Sequence, residues 1–210
     1  MIIAIDGPAA AGKGTLARRL ASHFGLGYLD TGLLYRAVGK KVIDQGGVPD
    51  DPEFATAIAE ALNSRDLDVE GLRTEVVGQA ASMVSAVPGV RSALLQFQRD
   101  FAKSPPEGMN GAVLDGRDIC TVVCPDATVK LFITASAEVR AERRLKELLG
   151  RGSEAIYARV LEDMKERDAR DSSRATAPLA PAADARVLDT SDLDAGQAFD
   201  EALEFINTRI

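Results

Sequence analysis

Met1-Ile2-Ile3-Ala4-Ile5 is a short apolar run without alternation, the pattern of a strand buried on both faces. It breaks at Asp6-Gly7-Pro8, and helical spacing then predicts a helix over about Thr15 to His23. Gly25 to Gly32 reads as a short strand ending in a polar turn. A second helix follows from about Leu33 to Asp44, with Leu34, Val38 and Val42 on one stripe. Gly46 to Pro52 is a loop, Glu53 to Asn63 a helix, and Leu62 to Gly71 polar and irregular. From Leu72 helical periodicity resumes through Val76, Ala80, Met83, Val84 and Val87. Pro88 opens another helix at its favoured first-turn position, with Val90, Leu94, Leu95 and Phe101 apolar.

After a turn-rich loop over Lys103 to Gly111, the compact run Ala112-Val113-Leu114 ends at Asp115-Gly116-Arg117-Asp118, much like the start of the chain. Cys120 and Cys124 fall in a β-like stretch, and Thr128 to Thr134 is a further strand. A charged helix from Ser136 to about Leu149 is broken by Gly150-Arg151-Gly152 and continues as a second from Ser153 to about Arg170. Thr176 to Ala183, with Pro178 and Pro181, is loop; Arg186 to Thr190 is the last strand and Leu193 to Ile206 a closing helix. Five apolar strands interleaved with helices predict an α/β domain built on a five-stranded parallel sheet. Ligands of such sheets sit beyond the carboxyl ends of the strands. Gly7–Thr15, Asp30-Thr31 and Asp115–Asp118 each follow a strand, so they are expected to meet at one edge.

Composition narrows the picture. At 210 residues the chain makes one domain, and 46% hydrophobic residues with 5% aromatics give an ample, aliphatic core. A net charge of −7 argues against a broad nucleic-acid or anionic-membrane surface, so an anionic ligand needs basic residues gathered locally. Ser136 to Arg174 holds 10 Lys and Arg against 9 Asp and Glu, which makes it the electropositive part of the chain. Two cysteines are too few for a disulfide scaffold or metal site, and reduced thiols in a cytoplasmic protein are expected. No apolar run reaches the roughly 18 residues of a membrane span, and no signal peptide is seen.

Between the first strand and first helix stands G-x-x-x-x-G-K, over Gly7, Pro8, Ala9, Ala10, Ala11, Gly12 and Lys13. Its glycines let backbone N–H groups converge on phosphate oxygens, and the helix that follows turns its positive end to the same anion. Lys13 adds a full charge near the outer phosphates. Gly14 stands where Ser or Thr is usual, and Thr15 next to it is the hydroxyl left for Mg²⁺.

A phosphate loop alone serves kinases, motors and switches. The guanine-reading N-K-x-D pattern is absent. Arg140, Arg143 and Arg144 share a helix face by spacing, as do Arg167, Asp171 and Arg174 if their helix persists that far. The plain alternative is a solvated helix with i,i+4 pairs such as Asp163–Arg167 and Glu166–Arg170. Moving a phosphoryl group between two polyanions needs dispersed positive charge, in-line positioning and exclusion of water. A lid of arginines hinged at Gly150 and Gly152 would supply these.

Taken together, the chain resembles a bacterial cytidylate kinase of the short, single-domain kind. The resemblance rests on Ile5-Asp6-Gly7-Pro8 through Gly12-Lys13-Gly14-Thr15, Leu29-Asp30-Thr31-Gly32 with Leu34-Tyr35-Arg36, and Ala80-Ala81-Ser82 with Pro88-Gly89-Val90-Arg91. Asp115-Gly116-Arg117-Asp118, and Glu166-Arg167-Asp168 through Arg170-Asp171 to Arg174, complete it. It implies a P-loop three-layer kinase domain over residues 1–210, with an acceptor arm near 36–104 and a lid with acceptor contacts near 140–174. It also implies transfer of the γ-phosphoryl of ATP to CMP or dCMP with Mg²⁺, by a monomer. Residues 7 to 15 would hold ATP, and Arg36 and Arg117 the acceptor phosphate. Ser82, Arg91 and Arg174 match cytosine-reading positions, Arg167 and Asp171 ribose-holding ones, and Arg143 and Arg144 the lid over the phosphates. Asp30 and Asp115 would orient Mg²⁺-bound water or the ribose side, with Thr31 and Asp118 beside them.

Two departures stand out. The family often carries a longer β-rich insert between the positions of Asn63 and Arg73, trimmed here to a polar link. Cys120 stands where Gly is usual, so strain from a positive φ or a close approach is expected there. The alternatives are a kinase for UMP or another small acceptor, and a nucleotide switch that signals through a partner.

Overall fold

The computed structural model describes residues 1–210. Five parallel strands, β1 (Ile2–Asp6), β2 (Gly27–Asp30), β3 (Ala112–Gly116), β4 (Val129–Thr134) and β5 (Arg186–Asp189), lie in the order β2-β3-β1-β4-β5. The chain moves to one side of β1 for β2 and β3 and to the other for β4 and β5. That reversal opens a crevice at the carboxyl ends of the central strands. Register brings the polar ends level: Asp6 pairs with Gly116, and Asp30 with Asp115.

Helices α1 (Lys13–Phe24) and α8 (Ala195–Asn207) pack on one face of the sheet, where Ile3, Ile5, Leu20, Leu131 and Ile206 are fully buried. On the other side Ala4, Leu114 and Ile119 form a second apolar layer with both cysteines. Helices α2 (Thr31–Asp44), α3 (Pro52–Glu60), α4 (Glu75–Val84) and α5 (Pro88–Lys103) enclose a cluster of their own around Val38, Val42, Val84 and Val90. The hairpin of α6 (Ala137–Gly150) and α7 (Tyr157–Ser173) is held by the small set Ala141, Leu148, Val160 and Met164. With so few buried side chains, the hairpin depends on polar contacts to hold it to the rest of the fold.

Several boundaries differ from the sequence reading. Thr31 and Gly32 belong to α2 rather than to a turn before it. Helix α4 starts at Glu75, capped by Thr74, and its buried stripe is Val77, Ala80, Ala81 and Val84; Val76 is 67% exposed. The cysteine stretch is helical: Ile119–Val123 closes a π-helical turn, with Val123 N–H donating to Asp118 O at 3.2 Å and Cys124 N–H to Ile119 O at 2.8 Å. The expected strain at Cys120 is absent, because positive φ among non-glycine residues is confined to Ala10 and Ala177. Its thiol instead fills a buried gap, with Sγ 3.4 Å from Ala4 O. Both cysteines are free. Helix α7 runs to Ser173, so Arg167 and Asp171 share it while Arg174 stands just beyond its end.

Candidate active site

The phosphate loop is shaped by local sterics. A Cβ on Gly7, at φ +146°, would lie 1.9 Å from Ile133 O, so only glycine lets the loop leave β1 here. Gly12 caps α1 in a left-handed conformation, and Lys13 Nζ donates back to Pro8 O at 3.0 Å. A Cβ on Gly14 would sit 3.3 Å from Asp115 Oδ2. That contact is tight but falls on the end of a side chain, so glycine here eases the packing of Asp115 rather than being required by it.

A cavity of about 340 Å³ opens above the strand ends, lined by Gly12 to Thr15, Asp30, Thr31, Arg36, Ser82, Arg91, Asp115 to Asp118, Arg144, Arg167, Asp171 and Arg174. The three strand ends therefore meet, together with side chains from α2, α4, α5, α6 and α7. Nine cationic side chains face five carboxylates around this cavity, in a chain whose net charge is −7. That local excess suits a polyanion. Two buried guanidinium nitrogens in it, Nε of Arg167 and of Arg174, have no hydrogen-bond partner. Such donors are costly unless a ligand meets them.

The crowding shows in proton affinity. Burial, aided by Arg117, lowers Lys13 to about 7. Burial and Arg117 likewise lower Arg167 to about 10. Burial raises the Asp115 carboxyl, with Asp30 adding to it, while Lys13 opposes. Asp171 goes the other way: burial works against ionisation, but Arg117, Arg167 and Arg174 hold its carboxyl below the usual range.

On the far wall Arg91 is ion-paired with Asp118, donates to Ser85 O at 3.1 Å and lies over the Tyr35 ring. Both members of that pair are buried, and removing one partner of such a pair typically costs about 3–5 kcal/mol. Arg117 Nε donates to Asp171 Oδ2 at 3.2 Å, and Arg174 donates to Ser85 Oγ at 3.1 Å. Ser82, 2% exposed, lies between Arg170 at 2.8 Å and Asp171 at 3.4 Å. Arg36 donates to Leu72 O at 2.9 Å, tying α2 to the segment before α4. Thr31 Oγ1 is taken up by Asp115 O at 2.8 Å, and Asp30 by Arg73 at 3.0 Å.

The face expected of Arg140, Arg143 and Arg144 is split. Arg140 pairs with Asp168 at 2.6 Å and reaches Ala9 O at 3.4 Å, bracing the loop from behind. Arg143 turns to Thr190 Oγ1 at 2.9 Å and lines a separate cavity of about 230 Å³ with Gly12, Thr15 and Leu193. Only Arg144 reaches the main cavity. The i,i+4 pairs Asp163–Arg167 and Glu166–Arg170 do not form; Arg167 turns inward to Asp171, at 4.0 Å. The sequence assigns no site role to Arg73, or to Arg170 beyond its motif and the pair with Glu166. Arg170 follows Arg167 by one helical turn, which was the available signal, whereas Arg73 ends an irregular link that carries none. A wider cleft of about 1190 Å³ between the α6–α7 hairpin and residues 71–79 adjoins the main cavity through Arg73, Arg144 and Arg167.

A parallel sheet with a phosphate loop at its reversal point, facing an arginine-rich second pocket, defines the class: P-loop proteins that move or read phosphoryl groups. A family model described as cytidylate kinase matches residues 3–208, and the chain belongs to the cytidylate kinase family. A relative named cytidylate kinase from Paramagnetospirillum magneticum is 64% identical over 99% of this chain and 98% of its own length. Another of that name, from Rhodospirillum rubrum, is 61% identical over 98% and 97%. Among solved structures, an uncharacterized protein from Eubacterium ventriosum aligns over 100% of this chain and 99% of its own with a TM-score of 0.58 at 18% identity, a likeness of fold.

Proposed function

We propose that the protein transfers the γ-phosphoryl group of ATP to CMP or dCMP, giving ADP and the nucleoside diphosphate. The observation that carries this reading is one cavity holding both the loop residues Gly12–Thr15 and, opposite, the set Ser82, Arg91, Asp118 and Arg174. The first suits the donor's phosphates and the second a polar base edge. Backbone N–H groups between Gly7 and Thr15, Pro8 excepted, and the Lys13 ammonium cradle the ATP phosphates. Arg36 and Arg117 grip the acceptor phosphate, Asp171 and Arg167 the ribose, and Asp30 and Asp115 flank the phosphates from the strand ends.

An oxygen of the acceptor phosphate forms a bond to the γ-phosphorus while the bond to the β–γ bridging oxygen breaks, its electron pair leaving on ADP. Lys13, Arg117 and Arg144 disperse the charge on the moving group. Arg143 and Leu193 border the cavity behind the loop, where the donor's nucleoside end fits. No group of three or more Asp, Glu, His or Cys side chains stands ready to hold a metal ion. Mg²⁺, which usually binds through few protein groups plus substrate phosphates, fits as an ion carried by the nucleotide with the Thr15 hydroxyl beside it. When bound, it neutralises phosphate charge.

In the same reading, residues 36–104 form the acceptor arm and 140–174 the lid of a monomer working in the cytoplasm. No helix is long and apolar enough to cross a membrane. The test is an ADP-release assay with ATP, Mg²⁺ and a panel of monophosphates. Turnover with CMP or dCMP supports the reading; turnover with another monophosphate and none with these two overturns it.

A further inference from the structure

Asp6 ends β1 and immediately precedes Gly7, and its side chain is fully buried. The carboxylate accepts from the N–H of Ile119 at 2.8 Å and of Cys120 at 2.7 Å, the first two donors of the π-helical turn Ile119–Val123. Donors at the start of a helical turn have no partner within it. The residue before the turn is Asp118, a type that commonly caps its own helix with its side chain. Here Asp118 makes no such cap and pairs with Arg91 instead. A carboxylate 113 residues away does the capping, and Asp118 is left free for the cavity.

We infer that Asp6 is a positioning residue: by capping the turn at Ile119 and Cys120 it holds Asp118 against Arg91, and so keeps the acceptor side of the cavity in register with the phosphate loop. One side chain joins the two halves of the site, since its backbone leads into Gly7 and its carboxylate fixes the turn after Arg117. Burial pushes Asp6 up to about 6, and the two backbone donors restrain that rise, so the capping carboxylate is ionised at neutral pH. Cys120 adds a second tie, its thiol packed against Ala4 O on the strand that carries Asp6.

The inference rests on Arg91 and Asp118 facing the acceptor. It is therefore measured with whichever monophosphate the wild-type protein phosphorylates, so a failure of CMP as acceptor is a separate result. Asp6→Asn keeps the volume but offers one oxygen to two donors, leaving one N–H to draw Asp118 back. The expected result is an acceptor KM raised about tenfold with the KM for ATP changed less than about twofold. Asp118→Ala alone should raise the acceptor KM, and adding Asp6→Asn to it should change that KM by less than about twofold, because the first residue acts through the second. Asp6→Ser, which retains one acceptor oxygen, carries the same comparison where the amide variant does not fold. The inference is overturned if the Asp6 variant leaves the acceptor KM alone, if both KM values rise alike, or if the effects of the two substitutions multiply in full.

Discussion

Arg144 of α6 is ion-paired with Glu75 of α4, across the cleft between the hairpin and the arm, and also holds Glu147 at 2.7 Å. Nearby, Arg151 donates to Arg73 O at 3.0 Å, so the hairpin is latched to the start of α4 at two points. The guanidinium that overhangs the cavity is thereby held in place by carboxylates on both sides. Arg144→Ala should lower kcat by about 100-fold, the usual scale for a lost charge-stabilising donor. Glu75→Ala should change it less than about threefold, since Glu147 still holds the guanidinium. Steady-state kinetics on the two variants check this.

Lys13, lowered to about 7 by burial, is half neutral near physiological pH. A polyphosphate restores its charge, so the bound group titrates higher than the free one. Nucleotide binding should then take up protons at pH 7 to 8, with affinity falling as pH rises above about 7, by up to tenfold per unit. Titration calorimetry in buffers of different ionisation enthalpy reads the uptake. Lys13→Met should abolish it.

Arg143 lies behind the loop with Thr190 and Leu193, away from the acceptor side chains. Arg143→Ala should therefore raise the KM for ATP by about fivefold or more while the KM for the acceptor moves less than about twofold. Varying each substrate at saturation of the other separates the two.

Cys120 packs under Ala4 and Leu131 without backbone strain, so restoring a glycine removes a buried side chain and loosens the turn. Cys120→Gly should cost about 1–3 kcal/mol of stability by denaturant unfolding. A stabilised variant would mean that Cys120 is strained after all.

The strands were legible because a parallel sheet covered on both faces writes itself as unbroken apolar runs, as at Ile2–Ile5 and Ala112–Leu114. The phosphate loop was legible because its glycines and lysine answer to one local geometry. What stayed hidden was direction. Spacing put Arg140, Arg143 and Arg144 on one face, yet Asp168, Thr190 and Glu75 draw them to three different places. Those partners lie 28 to 69 residues away, beyond any helical period. The same holds for Arg73, whose role comes only from Asp30 across the arm. The turn after Asp118 reads as β-like because its apolar residues say only that it is buried; the Asp6 carboxylate that caps it lies 113 residues before Ile119.

The proposed cytosine pocket of Ser82, Arg91, Asp118 and Arg174 is tested by the ratio of kcat/KM for CMP to that for UMP. Sites that hydrogen-bond a base edge leave buried groups unpaired with the wrong one, so a ratio of about 100 or more in favour of CMP is expected. A ratio near one, or a preference for UMP, would contradict it.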